Sequence, residues 1–262
     1  MEKKYELTEE TLAVYGHVLH RIKALRDFGN VEEGDIGGWI EGQENLSHDD
    51  DCWVHGKAKV LGNAKVYGDA KVHGDAEVYG DAEVYGDAKV YGDAKVHGYA
   101  EVHGYAEVHG YAEVYGYAEV YGYAEVYGDA EVYGDAKVYG DAEVHGDAEV
   151  HGDAEVYGYA KVYGDAEVYG DAKVYGYAKV YGYAKVYGDA EVEKKSDYIV
   201  FKNWWSSGRY FTWTRSNDMW SVGCFYGTGE ELIKKAYNDS DESGREYERI
   251  VKYVESIKQE FK

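Results

Sequence analysis

The side chains able to do chemistry recur at regular spacing. The chain has 10 His and 2 Cys in 262 residues, with 51 Asp and Glu against 28 Lys and Arg. Six of the His (His73, His97, His103, His109, His145 and His151) sit at multiples of six residues, in a slot otherwise filled by Tyr. A metal needs several ligands converging on one point. If three six-residue steps complete one coil, His97, His103 and His109 fall on three different faces and cannot share an ion. They read as members of aromatic columns. Outside the periodic region, His48 with Asp49, Asp50 and Asp51 could attract a cation, although such charge runs also stay solvated in loops. His17 and His20 lie an odd number apart, so on a strand they face opposite sides. Cys52 and Cys224 lie in opposite flanks and imply no disulfide framework. Cys224, near Trp220 and Phe225, is expected in a core. The stretch Gly34-Asp35-Ile36-Gly37-Gly38 lacks the strand, helix and Lys of a phosphate loop. No catalytic set, metal site or cofactor is expected from these residues.

What must position them is one unit, Ala-(Lys/Glu)-Val-(Tyr/His)-Gly-(Asp/Tyr). It runs from Ala58 to Val192 without insertion or deletion, with twenty-three alanines in register. Val always holds the third place, and Gly the fifth until Lys194 ends the series. A strict short period means a stacked-repeat architecture. Val is β-branched and stiff, suited to an inward column. Ala is the second inward residue, at a corner where only a methyl group fits. Gly permits the corner's unusual dihedrals, and Asp can hydrogen-bond the local turn. Near-identical units suggest recent tandem duplication.

Read from Val, the unit is Val-x-Gly-x-Ala-x. This resembles the hexapeptide signature of left-handed parallel β-helices, the fold of bacterial acyltransferases and γ-class carbonic anhydrases. The resemblance implies three hexapeptides per triangular coil, so that residue i stacks on i+18, and it alone supplies the handedness. About eight coils follow, a rod of ~38 Å at ~4.8 Å per stacked strand. Hexapeptide acyltransferases carry a catalytic His on a loop extruded from the coils, and this array extrudes none. The γ-class anhydrases use His from neighbouring chains around a catalytic acid in a cleft, and no such signal appears. The string Leu19-His20-Arg21-Ile22-Lys23-Ala24-Leu25-Arg26-Asp27-Phe28 is followed by Gly37-Gly38-Trp39-Ile40-Glu41, Glu44-Asn45-Leu46-Ser47 and Cys52-Trp53-Val54. That arrangement looks like the uncharacterised bacterial and phage hexapeptide proteins of the YdcK type, often labelled transferases by fold analogy. It covers residues 1–193 and supplies no catalytic residues.

Both neighbours of each Val should face outward. Stacking predicts three aromatic columns, from Leu61, Tyr67 and His73 downward in steps of eighteen. Stacked rings at this spacing add on the order of 0.5–1.5 kcal/mol per pair. Glu columns also form, among them Glu113, Glu131, Glu149 and Glu167, and like charges side by side are unfavourable unless screened. Tyr99, Tyr105, Tyr111, Tyr117 and Tyr123 replace Asp in five consecutive corners. They should form an aromatic collar suited to a lateral contact such as oligomerisation.

The flanks differ from the array. Residues 1–57 form an N-terminal cap and a degraded first coil, with strands expected around 5–7 and 14–25. Counting back from Cys52 in sixes places Leu46 and Ile40 in the Ala frame. Residues 58–193 are the β-helix. Residues 194–262 read as a small α+β domain: a three-stranded meander over 198–201, 210–213 and 220–225, then two helices. Thr228 with Glu231, and Ser243 with Glu246, have capping-box spacing. Trp204, Trp205, Trp213 and Trp220 concentrate here as core, and Trp204 and Trp205 also as a candidate partner surface.

The net charge of −23 argues against nucleic acid and anionic membranes. Without a leader or an apolar span, a cytoplasmic protein is expected, with a phage particle possible. The sequence thus points to an all-β repeat serving as a non-catalytic rigid scaffold or spacer that presents a C-terminal interaction domain. The partner would be a protein or glycan, and homo-oligomers could form through the prism faces. An acyl-CoA-dependent acyltransferase and a carbohydrate- or surface-binding protein with Tyr-lined faces are the alternatives.

Overall fold

Each hexapeptide contributes one short strand, usually its Lys/Glu-Val pair, and a corner made by the remaining residues. The computed structural model describes residues 3–258. The strands stack in parallel into three sheets, and residue i pairs with i+18, as in Glu101↔Glu119 and Val102↔Val120. The parallel β-helix expected from the hexapeptide is therefore present, with about nine turns where about eight were expected. The extra turn comes from the flanks, because Ile40 begins the stack and Tyr198 joins the interior after Val192.

The interior is apolar and uniform. Every Val and Ala of the array is at most 1 % exposed. A fully buried Val side chain contributes about 1.5–3 kcal/mol, so the columns supply the main driving force. Each unit in mid-array also donates three backbone bonds to the next coil, illustrated by Glu101 N–H to Ala118 O (2.9 Å), His103 N–H to Val120 O (3.0 Å) and Tyr105 N–H to Gly122 O (2.7 Å).

The third of these bonds corrects the expected role of Asp. The corner is closed by the backbone N–H of the sixth residue, whether that residue is Asp81 (2.7 Å to Gly98 O) or Tyr99 (2.8 Å to Gly116 O). The side chain takes no part in that bond, which is why Tyr can replace Asp. Gly has no such freedom. Gly116 has φ 75°, and a Cβ there would lie 2.9 Å from the backbone N of Gly134 in the next coil.

At the N-terminal end, β1 (Tyr5–Val14) and β2 (His17–Ala24) form an antiparallel hairpin. Tyr15 (φ 51°) and Gly16 (φ 86°) make its turn and divide the longer strand expected over 14–25. β2 pairs antiparallel with β3 (Ile36–Ile40), which in turn pairs parallel with Lys59–Val60. Gly37 and Gly38 belong to β3. A Cβ on Gly37 would meet Ile22, Trp53 and Val54, and one on Gly38 would meet Ala58, so close approach explains this glycine pair. Ile40 stacks on Val60 and Leu46 on Val66, whereas Val54 stacks on Val72. Both residues thus occupy the Val frame, not the Ala frame. Two additional residues in the 48–51 loop shift the count.

The terminal sheet has four strands, Tyr198–Lys202, Tyr210–Thr214, Met219–Val222 and Phe225–Gly227, instead of three. Gly223 (φ 57°) breaks the run expected over 220–225. Cys224 sits in that turn and is exposed, not in a core. Helix α1 (Gly229–Asp239) opens on the expected box: Thr228 Oγ1 accepts from Glu231 N–H at 3.3 Å, and Glu231 Oε2 accepts from Thr228 N–H at 2.9 Å. Helix α2 (Asp241–Lys258) starts earlier than the Ser243–Glu246 spacing suggests, because Ser240 Oγ accepts from Ser243 N–H at 3.1 Å and takes the cap. Tyr247, Ile250, Val251 and Val254 of α2 pack with Phe211, Trp213, Trp220 and Leu232.

Both ends of the coil stack are closed by side chains. Open ladder edges are sites of unwanted strand pairing. At the first coil, Tyr5 donates its hydroxyl to Leu46 O (2.7 Å), and the Lys4 ammonium donates to Cys52 O (2.9 Å). At the last coil, Lys185 N–H donates to Thr212 Oγ1 (2.8 Å) and Glu191 N–H to Ser216 Oγ (2.7 Å). Tyr198 donates to Lys179 O (2.8 Å) and Tyr226 to Tyr187 O (3.2 Å).

Candidate functional site

Because successive coils superpose, each outward slot becomes a column, and the three aromatic columns form as expected. In the first, Tyr79, His97 and Tyr115 stack at 4.6 and 5.0 Å within 4° of parallel. His103 and His109 are likewise sandwiched between tyrosines of the other two columns. Both faces of each ring are covered. His97 Nε2 stands 3.9 Å from Glu113 Oε2, too far for a hydrogen bond. Burial lowers the basicity of His97, His103 and His151, so these rings are neutral at pH 7. Among the described residues, no group of three His, Cys, Asp or Glu is placed to hold a metal ion.

The Glu columns are relieved in two ways that residue spacing alone did not suggest. Lys caps the runs: Lys95 pairs with Glu113 at 2.7 Å and Lys185 with Glu167 at 2.6 Å, at either end of one run. Between such caps, a Tyr hydroxyl donates to the Glu sixteen residues later. Tyr85 reaches Glu101 at 2.7 Å, Tyr115 reaches Glu131 at 2.8 Å and Tyr133 reaches Glu149 at 2.9 Å. The hydrogen bond from Tyr67 holds the Glu83 carboxyl below its usual range, with Lys65 adding to it. Burial, together with the Glu107 carboxylate, pushes the Tyr91 hydroxyl up to about 12.

The loop at 48–51 holds a cation of the protein's own. The Lys4 ammonium, fully buried, is bound by the carbonyls of Asp49, Asp50 and Cys52 at 3.1, 3.2 and 2.9 Å. His48 stacks on Tyr5 at 4.2 Å and accepts the Lys4 backbone N–H at Nδ1. His17 bonds Glu41 at 2.9 Å.

The five corner tyrosines are solvent-facing, between 54 and 64 % exposed. They occupy all three edges: Tyr99 stacks on Tyr117 and Tyr105 on Tyr123, each at 4.9 Å, while Tyr111 stands on the third edge. The edge bearing Tyr105 and Tyr123 continues past Asp141 to Tyr159 and Tyr177, which stack at 5.1 Å and are 54 and 78 % exposed. A shallow groove of about 430 Å³ follows this edge, lined by Tyr105, Tyr123, Glu107, Glu125, Asp141 and Glu143. Aromatic platforms beside carboxylates suit sugar rings or a polar protein surface.

In the terminal domain, Trp213 and Trp220 are buried, while Trp204 is 68 % exposed. Trp205 is half-buried, packed edge-on against both Trp204 and Tyr247 at 4.9 Å. Of the four Trp named from sequence, two are core and one is open to solvent. No helix among the described residues is long and apolar enough to cross a membrane. No protein-family model matches this chain, and no curated protein matches it.

Proposed function

We propose that this protein is a rigid, non-catalytic spacer: a β-helical rod that holds its C-terminal domain at a fixed distance and orientation from its N-terminal end. One observation carries the reading. From Ala58 to Val192 every coil has the same length, and every inward side chain is a buried Val or Ala. No loop leaves the coils to build a cleft, and the array His are locked inside ring stacks. An acyltransferase of the hexapeptide class needs such a loop, so the array's uniformity weighs against that alternative. The resemblance to the YdcK type agrees with the scaffold role of residues 1–193 and adds no chemistry.

The discriminating experiment is thermal melting with acetyl-CoA or succinyl-CoA. An unchanged Tm is expected. A clear rise at sub-millimolar ligand would overturn the spacer reading in favour of an acyltransferase.

A second reading rests on the exposed edge of Tyr105, Tyr123, Tyr159 and Tyr177, which offers stacking surface along much of the rod. Carbohydrate binding there would appear on a glycan array and vanish in a variant carrying Asp at all four positions.

A further inference from the structure

The terminal domain contains a cavity of about 200 Å³ between α1, the start of α2 and the turns that join the sheet strands. Its apolar floor is made by Val222, Phe225, Leu232 and Ala236. Around that floor stand Arg209, Lys235 and Asp239, none of which forms an ion pair with another described residue. Two unpaired cations flanking one hollow are notable in a chain of net charge −23. The Tyr247 side chain, 8 % exposed, also lines the cavity. Its hydroxyl accepts from Asn203 Nδ2 at 3.2 Å, and its own proton has no acceptor among the described residues. Asn203 is fixed in turn by Ser206, whose N–H and Oγ–H both donate to Asn203 Oδ1, at 2.9 and 3.1 Å.

We propose that this cavity binds a small apolar α-amino acid. Arg209 and Lys235 would take the carboxylate, with the Tyr247 hydroxyl donating to it, because guanidinium, ammonium and a free O–H match its lone pairs. Asp239 would take the ammonium. The floor receives one compact aliphatic group, as small-molecule pockets do with a few polar groups fixing orientation. All three charges in the cavity then have a partner, which a simple anion or an apolar molecule would not provide. The inference rests on the reading of the terminal domain as the interacting end, and its failure would leave the rod's own tests untouched.

Saturation-transfer NMR on the full chain, with leucine, N-acetyl-leucine and leucinamide at millimolar concentration, tests it. Leucine should bind best, N-acetyl-leucine more weakly, and leucinamide not at all. Arg209→Gln should weaken leucine by about tenfold or more, the loss expected for one charge-assisted hydrogen bond. Asp239→Asn should abolish the preference for leucine over N-acetyl-leucine while leaving the carboxylate requirement. Both substitutions are at exposed positions, and an unchanged Tm would confirm that each variant is folded. Equal binding of leucinamide and leucine, indifference to Arg209→Gln, or no transfer to any of the three would overturn the proposal.

Discussion

Tyr85 donates its phenolic hydroxyl to Glu101 Oε2 at 2.7 Å, across one coil boundary. Glu101 is the middle member of a ladder in which both neighbours, Glu83 and Glu119, are also acidic. The ring that stiffens one column therefore supplies the donor that stabilises charge in the adjacent one. Tyr85→Phe keeps the stack and removes the donor. It should cost about 1–2 kcal/mol, at the lower side of the range for bonds to charged groups because the site is partly exposed. A double-mutant cycle with Glu101→Gln, followed by denaturant unfolding, should return a favourable coupling. Zero coupling would mean that solvent screening alone tolerates the Glu column.

Corner chemistry separates backbone demand from side-chain choice. Gly116→Ala places a methyl group against Gly134 at a left-handed φ. It should lower stability by about 1–3 kcal/mol. Tyr111→Asn lies at the corner of the preceding unit, on an edge where no ring among the described residues is stacked on it. It should be neutral to within about 0.5 kcal/mol, the usual range for surface changes, because the corner bond comes from the backbone. Melting of the two variants side by side checks the contrast.

The pH profile follows from the same lattice. His97, His103 and His151 have folded pKa values below their ordinary value, through burial. Their contribution is complete above about pH 6.5 and is lost as pH falls below it, since the unfolded chain binds protons first. Glu83 and Glu155, lowered by hydrogen bonds from Tyr67 and Tyr139 respectively, extend the loss below about pH 4.5. Tyr91 is raised to about 12, so its contribution is present below pH 10 and fades from there to about 12. Denaturant midpoints should therefore be flat from about pH 7 to 9 and fall on both sides. A midpoint that rises on acidification would show that Glu–Glu repulsion dominates the columns.

The end seals should matter more for association than for the fold. Thr212→Val with Ser216→Ala removes the acceptors for Lys185 N–H and Glu191 N–H. Each uncovered donor costs about 1–3 kcal/mol if it stays buried, and an open edge invites pairing with another chain. Sedimentation velocity should show concentration-dependent association of the double variant but not of the parent. Identical sedimentation would show that the terminal sheet seals the edge without these hydroxyls.

The hexapeptide made the core, the register and the aromatic columns legible, because one residue type per slot leaves a single way to stack. The Tyr–Glu bonds were less visible. They join residues sixteen apart, where one coil of eighteen is offset by the two residues separating the Tyr and Glu slots, and this offset is a clue available in the repeat itself. The irregular flanks resisted for local reasons. Two additional residues before Cys52 shifted Ile40 and Leu46 from the Ala frame to the Val frame, and Gly223 turned one apparent strand into two. The cavity beside Arg209 and Lys235 was invisible, since its walls come from loop, sheet and both helices, far apart in sequence.

In a rigid β-helical spacer whole coils are interchangeable and fractions of a coil are not. Deleting residues 112–129 removes eighteen residues and one turn, while deleting residues 112–117 removes a third of a turn. Small-angle scattering with thermal melting on both variants measures this directly. The eighteen-residue deletion should keep a cooperative melt and shorten the rod by about 4.8 Å, one strand spacing. The six-residue deletion should rotate one end by a face, break the column register and lower the Tm. Equal melting of the two variants, or no shortening in the first, would contradict a rigid spacer.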